Sequence, residues 1–184
     1  MKKLLAVAIL FFAFSSCIST KWYKTHSGVL NLDNDLQRLN GVYYNIPSTI
    51  DENNPNDYYP LYTLLFKRDK VYRWNEIRDY SGKIKFDVIS NKKIKVSYLI
   101  DDLIVEEKMI TGKLTGNIFS VKRQICFVFL LFFNFYNEVK TSIYLDEKNE
   151  LVVTKQRYAF GNILIASGGG EDGTGGGYAR ISEK

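Results

Sequence analysis

Histidine, cysteine and proline are scarce in this 184-residue chain, with one, two and three copies respectively. His26, Cys17 and Cys126 are too few to build a zinc centre of four cysteines or of three histidines, so no metal site is expected. Cys126 lies in the apolar stretch ICFVFLLFFNF (Ile125–Phe135), where no cation is at hand to lower a thiol pKa, and it reads as an inert core thiol. Gly168, Gly170 and Gly173 spell a formal G-x-G-x-x-G, yet too little chain follows for the helix and distant acidic residue of a dinucleotide fold, and Gly-Lys-Ser/Thr is missing. That glycine-rich stretch reads as a hairpin loop. The acidic pairs Asp101-Asp102 and Glu106-Glu107 are chain neighbours, so on a strand they face opposite sides and do not converge on a cleft. No catalytic residue and no cofactor is therefore assigned. The 15% aromatic content, with 13 Tyr and 12 Phe, excludes a disordered chain and suits one folded domain.

The N-terminus carries an address. Met1-Lys2-Lys3 precedes Leu4–Phe14, eleven uninterrupted apolar residues, and then Ser15-Ser16-Cys17. A bilayer core of about 30 Å needs roughly 20 helical residues, so this run is a cleavable leader rather than a permanent span. A cysteine directly after small residues at the end of such a run resembles the lipobox of bacterial lipoproteins. The resemblance implies removal of residues 1–16, acylation of Cys17 as the new N-terminus, and a membrane partner held through the lipid; the alternative is an ordinary cleaved leader with a free thiol. More than one acyl chain anchors stably, at about 0.8 kcal/mol per buried methylene. Ile18 follows the cysteine where some inner-membrane lipoproteins carry Asp, and no acidic cluster follows. By likeness to lipoproteins in general, the expected location is the periplasmic face of the outer membrane. Loss of Lys2 and Lys3 lowers the formal charge from +5 to +3, which gives little support to a nucleic-acid partner.

Residues 17–38 read as a tether, and residues 39–184 as one β-domain. Lys83–Val88 and Lys93–Tyr98 alternate apolar and polar residues across a Ser90-Asn91 turn, the pattern of a half-buried hairpin. Turn signals also occur at Ser81-Gly82, Asp101-Asp102, Thr115–Asn117, Asn137-Glu138, Asp146–Asn149, Gly161-Asn162 and Ser167–Gly177. Spacings this short leave no room for crossover helices, so neighbours should be antiparallel. The expected fold is mainly β: a meander of about eight to ten strands near 41–46, 70–77, 83–89, 92–100, 103–112, 117–125, 139–146, 150–158, 161–166 and 177–183. It would form a closed or partly open barrel, or a β-sandwich. Asp57 can cap and Pro60 can sit in a first turn, so 57–66 reads equally as a short helix or as another strand. Leu39-Asn40-Gly41-Val42-Tyr43-Tyr44-Asn45 opening such a meander, with a Gly-rich turn before the last strand, resembles small lipocalin-like lipoproteins of Gram-negative bacteria. That likeness implies a barrel-like fold and carries over no catalytic residue.

Three features bear on function. Glu107 falls in phase with Leu103, Val105 and Met109, and Arg123 with Phe119, Val121 and Ile125; a hairpin turning at Thr115-Gly116 would set the two opposite each other, facing inward. Such a pair is either a structural bridge or the polar handle of a cavity that Tyr72 and Trp74 could also line, unless another register exposes both. Ile125–Asn137 is free of charge. It is either a strand running into a buried loop, or an exposed aromatic loop in which Phe127, Phe129, Phe132 and Phe133 meet a membrane or partner. Lys83, Lys85, Lys93 and Lys95 form a basic stripe, read as solvated strand surface or as a contact for anionic lipid or polysaccharide. The reading that joins these features is a non-enzymatic, membrane-anchored module binding a small apolar or amphipathic ligand. The alternatives are an envelope protein that contacts a protein or glycan and, more remotely, a carboxylate-based hydrolase.

Overall fold

The computed structural model describes residues 35–48, 59–66, 81–129, 133–163 and 166–181. Asp35 opens the described chain by accepting the Gln37 amide at 2.9 Å, which caps a 3-10 turn at Leu36–Leu39. Leu36 and Leu39 are fully buried, so the core draws in Leu36, a residue that the sequence assigns to the tether. β1 (Gly41–Tyr44) leads to α1 (Leu61–Phe66). Asn45 starts that helix: its carbonyl takes the Leu61 amide at 2.9 Å and its Oδ1 takes the Tyr62 amide at 2.8 Å. Of the two readings the helix is thus present; Asp57, its expected cap, lies outside the described residues, as does the expected strand at 70–77.

Four strands follow: β2 (Lys83–Ser90), β3 (Lys93–Ile100), β4 (Leu103–Thr111) and β5 (Lys113–Thr115). Next come β6 (Ile118–Phe129), β7 (Phe133–Leu145), β8 (Leu151–Ile163), β9 (Ala166–Tyr178) and β10 (Arg180–Ile181). The β3–β4 hairpin turns on Asp101 and Asp102 at φ of 50° and 61°, the paired positive φ of a tight hairpin whose twist matches its strands. All pairing is antiparallel, in two five-stranded sheets ordered β10-β1-β2-β3-β4 and β5-β6-β7-β8-β9. The chain passes between sheets at Gly112, linking β4 to β5, and at Ala179, linking β9 to β10. Strand order is therefore cyclic, but the two ladders do not merge into one barrel. This is the mainly β fold expected, with two sheets not closed into a barrel, consistent with its partly open or its sandwich form.

Gly112 is there because a corner this tight admits no side chain: a Cβ would stand 2.7 Å from both the Phe119 ring and the Ser120 carbonyl oxygen. Inside, the rows Phe86–Val96–Lys108 and Val88–Ile94–Ile110 of the first sheet face the row Phe119–Ile143–Val153 of the second, with α1 and the 3-10 turn filling the ends. Ile84, Phe86, Ile94, Val96, Phe119, Ile143 and Val153 are fully buried, each stabilising by about 1.5–3 kcal/mol against exposure.

Four expectations need correction. Ser167–Gly177 is not a loop: it belongs to β9, held by a continuous ladder to β8, and the separate strand expected at 161–166 is divided between these two. Asn137-Glu138 is not a turn, because β7 runs straight through it. Cys126 is exposed rather than a core thiol, since β6 by then has outrun the core. The phase of β4 is also reversed. Val105 is an extra residue where the β3–β4 register shifts between Tyr98 and Leu99, and Ile110 rather than Met109 enters the core while Leu103, Val105 and Met109 stay exposed.

Candidate functional site

The phase reversal separates Glu107 from Arg123. Glu107 stands on the outer face of the first sheet, where Ser97 Oγ donates to its Oε1 at 2.9 Å and Lys95 Nζ lies 3.4 Å away. The Ser97 hydroxyl, then the Lys95 ammonium, hold its carboxyl below the ordinary carboxylate range. Arg123 belongs to the other sheet, paired with Val139 on the inward-facing side. They are not a cross-strand pair, because β4 leaves for the other sheet at Gly112 and only Lys113–Thr115 pairs with β6. Three lysines of the stripe are also partnered: Lys83 bridges Asp102 at 2.8 Å, and Lys85 and Lys95 both reach Asp87. Opposite charges within a few ångströms make that face a solvated ion-pair ladder rather than a cationic platform.

The seam where the sheets fail to merge does form a site. From Val121 onward β6 has lost β5 as a neighbour, and β4 pairs only with β3, so a groove of about 310 Å³ opens between them. Leu64 and Leu65 of α1, Ile110 of β4, and Val121 and Val139 of the second sheet supply its apolar wall. Among the described residues its charged lining is Lys108, Arg123 and Lys155. Thr111 and Thr141 add hydroxyls. Lys108 reaches it from the inner face of β4, its Nζ donating to the Leu65 carbonyl at the helix C-terminus at 2.7 Å. Arg123 and Lys155 lie on adjacent inner rows, Arg123–Val139–Arg157 and Val121–Thr141–Lys155. Three cations around an apolar wall suit a ligand with an anionic end and a hydrocarbon body.

The sheet's other face holds a different cluster. Glu138 is buried with 5% exposure; Gln124 Nε2 donates to it at 2.8 Å, Lys122 Nζ stands at 3.0 Å, and the Tyr136 hydroxyl donates as well. Burial pushes its carboxyl upward, but these three donors outweigh that and leave it below the ordinary value. Every partner is a neighbour in the same ladder, so the cluster ties strands together instead of presenting a reactive group.

Of the expected site residues, Arg123 lines the groove and Glu107 does not. Cys17, Tyr72, Trp74 and Phe132 lie outside the described residues. Phe127, Phe129 and Phe133 are strand residues of β6 and β7 near the end farthest from the core. Lys155 and Lys108 are groove residues that the sequence reading missed. Lys155 continues the inward phase of Leu151 and Val153, a signal of the same kind as that of Arg123; Lys108 has no such signal, because the irregularity at Val105 sets its face. No protein-family model, curated protein or solved structure matches the chain.

Proposed function

We propose that this chain is a membrane-anchored, non-enzymatic binding module whose seam groove takes a small amphipathic ligand, apolar in body and anionic at one end. The observation that carries this reading is the groove's composition: Lys108, Arg123 and Lys155 beside Leu64, Leu65, Ile110, Val121 and Val139. Its volume of about 310 Å³ stands at the small end of ligand pockets and suits a short acyl or aryl body. A carboxylate or phosphate would meet the cations while hydrocarbon leaves water along the apolar wall, at about 25 cal/mol per Å² removed. The basic start, apolar run and Cys17 support attachment to the cell envelope through an N-terminal lipid.

Native mass spectrometry of the purified protein, with titration of a fluorescent medium-chain fatty acid, tests the binding reading. A co-purifying or saturably bound amphiphile that Arg123→Ala weakens is the expected result. A chain without a co-purifying ligand that binds no amphiphile overturns it. Anchoring is tested separately: Cys17→Ala should release the protein into the soluble fraction and abolish fatty-acid labelling, and retained labelling refutes the lipid anchor.

A further inference from the structure

The hairpins β6–β7 and β8–β9 end side by side at the extremity of the second sheet. Phe129 pairs with Phe133, Phe133 with Ile163, and Ile163 with Ala166. The strand segments that build this end are 125–129, 133–137, 159–163 and 166–170, and none contains a charged residue. Ile125 is 45% and Phe135 43% exposed on one face, Cys126 is exposed on the other, and Gly168, Gly169 and Gly170 are exposed along the β9 edge. An uncharged sheet end that exposes Ile125 and Phe135 on one face and Cys126 on the other is unusual for a protein surrounded only by water. Charge returns abruptly behind it. Lys122, Arg123, Lys140, Lys155 and Arg157 occupy the next rows, against Glu138, Glu171 and Asp172, and Lys122 bridges the buried Glu138.

We infer that this sheet end is a membrane-contacting surface, seated on anionic phospholipid, with the apolar rows at the acyl boundary and the cationic band among the head groups. The apolar tip lies apart from the groove, while Arg123 and Lys155 belong to both the cationic band and the groove lining. An apolar tip backed by a net positive belt is the charge order that a leaflet presents in reverse: phosphates outside, hydrocarbon beneath. Length sets the depth. Four residue steps from Ile125 to Phe129 rise about 13 Å, well short of a hydrocarbon core of about 30 Å, so the sheet does not span. Among the described residues β6 and β9 are open edges here, and their unpaired backbone groups need water. Contact therefore stays at head-group level.

The test uses the full chain carrying Cys17→Ser, in which Cys126 is the one thiol, labelled there with a polarity-sensitive fluorophore. Mixed with vesicles of phosphatidylcholine plus phosphatidylglycerol, the label should shift to the blue, with less response to phosphatidylcholine alone and loss of the response in high salt. The double variant Ile125→Asp/Phe135→Asp should bind these vesicles about tenfold more weakly or worse, with its thermal melt and groove-ligand affinity unchanged, because neither side chain belongs to the core or the groove. An unchanged label, or vesicle binding equal in the double variant, overturns the inference. So does a blue shift without lipid accompanied by a doubled mass on size exclusion, which would assign the surface to a second copy of the chain.

Discussion

Arg180 donates to the Tyr43 hydroxyl at 2.9 Å, and its guanidinium lies over the Tyr43 ring at 5.4 Å. This contact reinforces the β1–β10 ladder that closes the cyclic strand order. The same guanidinium nitrogen reaches the Asn40 carbonyl at 2.7 Å and the Arg38 carbonyl, so one side chain gathers the 3-10 turn, the first strand and the last. Burial raises the Tyr43 hydroxyl pKa despite the cation beside it, and the phenol stays neutral and able to accept. Arg180→Ala should cost on the order of 2–3 kcal/mol, since charge-assisted hydrogen bonds are lost and part-buried acceptors are left behind. Tyr43→Phe, which removes one partner, should cost about 1 kcal/mol. Urea titrations of both variants check this; equal midpoints for the wild type and Arg180→Ala would show that β10 is held by its ladder alone.

Acid should loosen the second sheet through Glu138. Its folded pKa lies below the ordinary 4.5, because the bonds from Tyr136, Gln124 and Lys122 outweigh burial. The ionised carboxylate therefore contributes stability at neutral pH. As pH falls below about 4.5 the unfolded chain takes up the proton first, and the contribution shrinks until the pH has passed the folded value. Glu138→Gln should lower stability at pH 7 by roughly 1–2 kcal/mol and flatten this part of the acid limb. Chemical denaturation at stepped pH reads both effects, and an acid limb of unchanged slope would count against the assignment.

Glycines at the Gly112 corner and within β9 should differ in tolerance. At Gly112 an added Cβ meets the Phe119 ring and the Ser120 carbonyl at 2.7 Å, so Gly112→Ala should destabilise by about 1–3 kcal/mol as the corner is forced open. At Gly168 and Gly170 a Cβ meets nothing within 4 Å and no positive φ is required. Alanine there should be neutral or slightly stabilising, because it restricts the unfolded chain. Thermal melts of the three variants separate these outcomes.

These glycines also show how far the sequence could be read. Alternation located β2 and β3 because Ile84, Phe86, Ile94 and Val96 write a period of two into side chains. A strand made of glycine writes none: β9 is a strand because the ladder with β8 makes it one, and such tertiary pairing is invisible locally. Glu138 misled for a related reason, since a charge in mid-strand reads as a turn until its donors on β6 and β7 are known. One extra residue at Val105 then reversed the facing of Glu107 and Lys108, as any single-residue slip must. Arg123 survived because no irregularity lies between it and Phe119.

The groove cations should part company when each is neutralised. Lys108→Met keeps the aliphatic stem but loses the 2.7 Å bond to the Leu65 carbonyl, so both stability and ligand affinity should fall, the former by about 1 kcal/mol. Lys155→Met lies farther along the sheet, on the row beyond the buried Ile143 and Val153. It should leave the melting temperature within about a degree or two while weakening a medium-chain fatty acid roughly tenfold, the worth of one charge-assisted contact. The corresponding fatty alcohol, lacking the carboxylate, should be insensitive to Lys155→Met. Titrating both amphiphiles against both variants decides the matter. Equal weakening of acid and alcohol would mean that the groove reads hydrocarbon alone and that its three cations serve the fold.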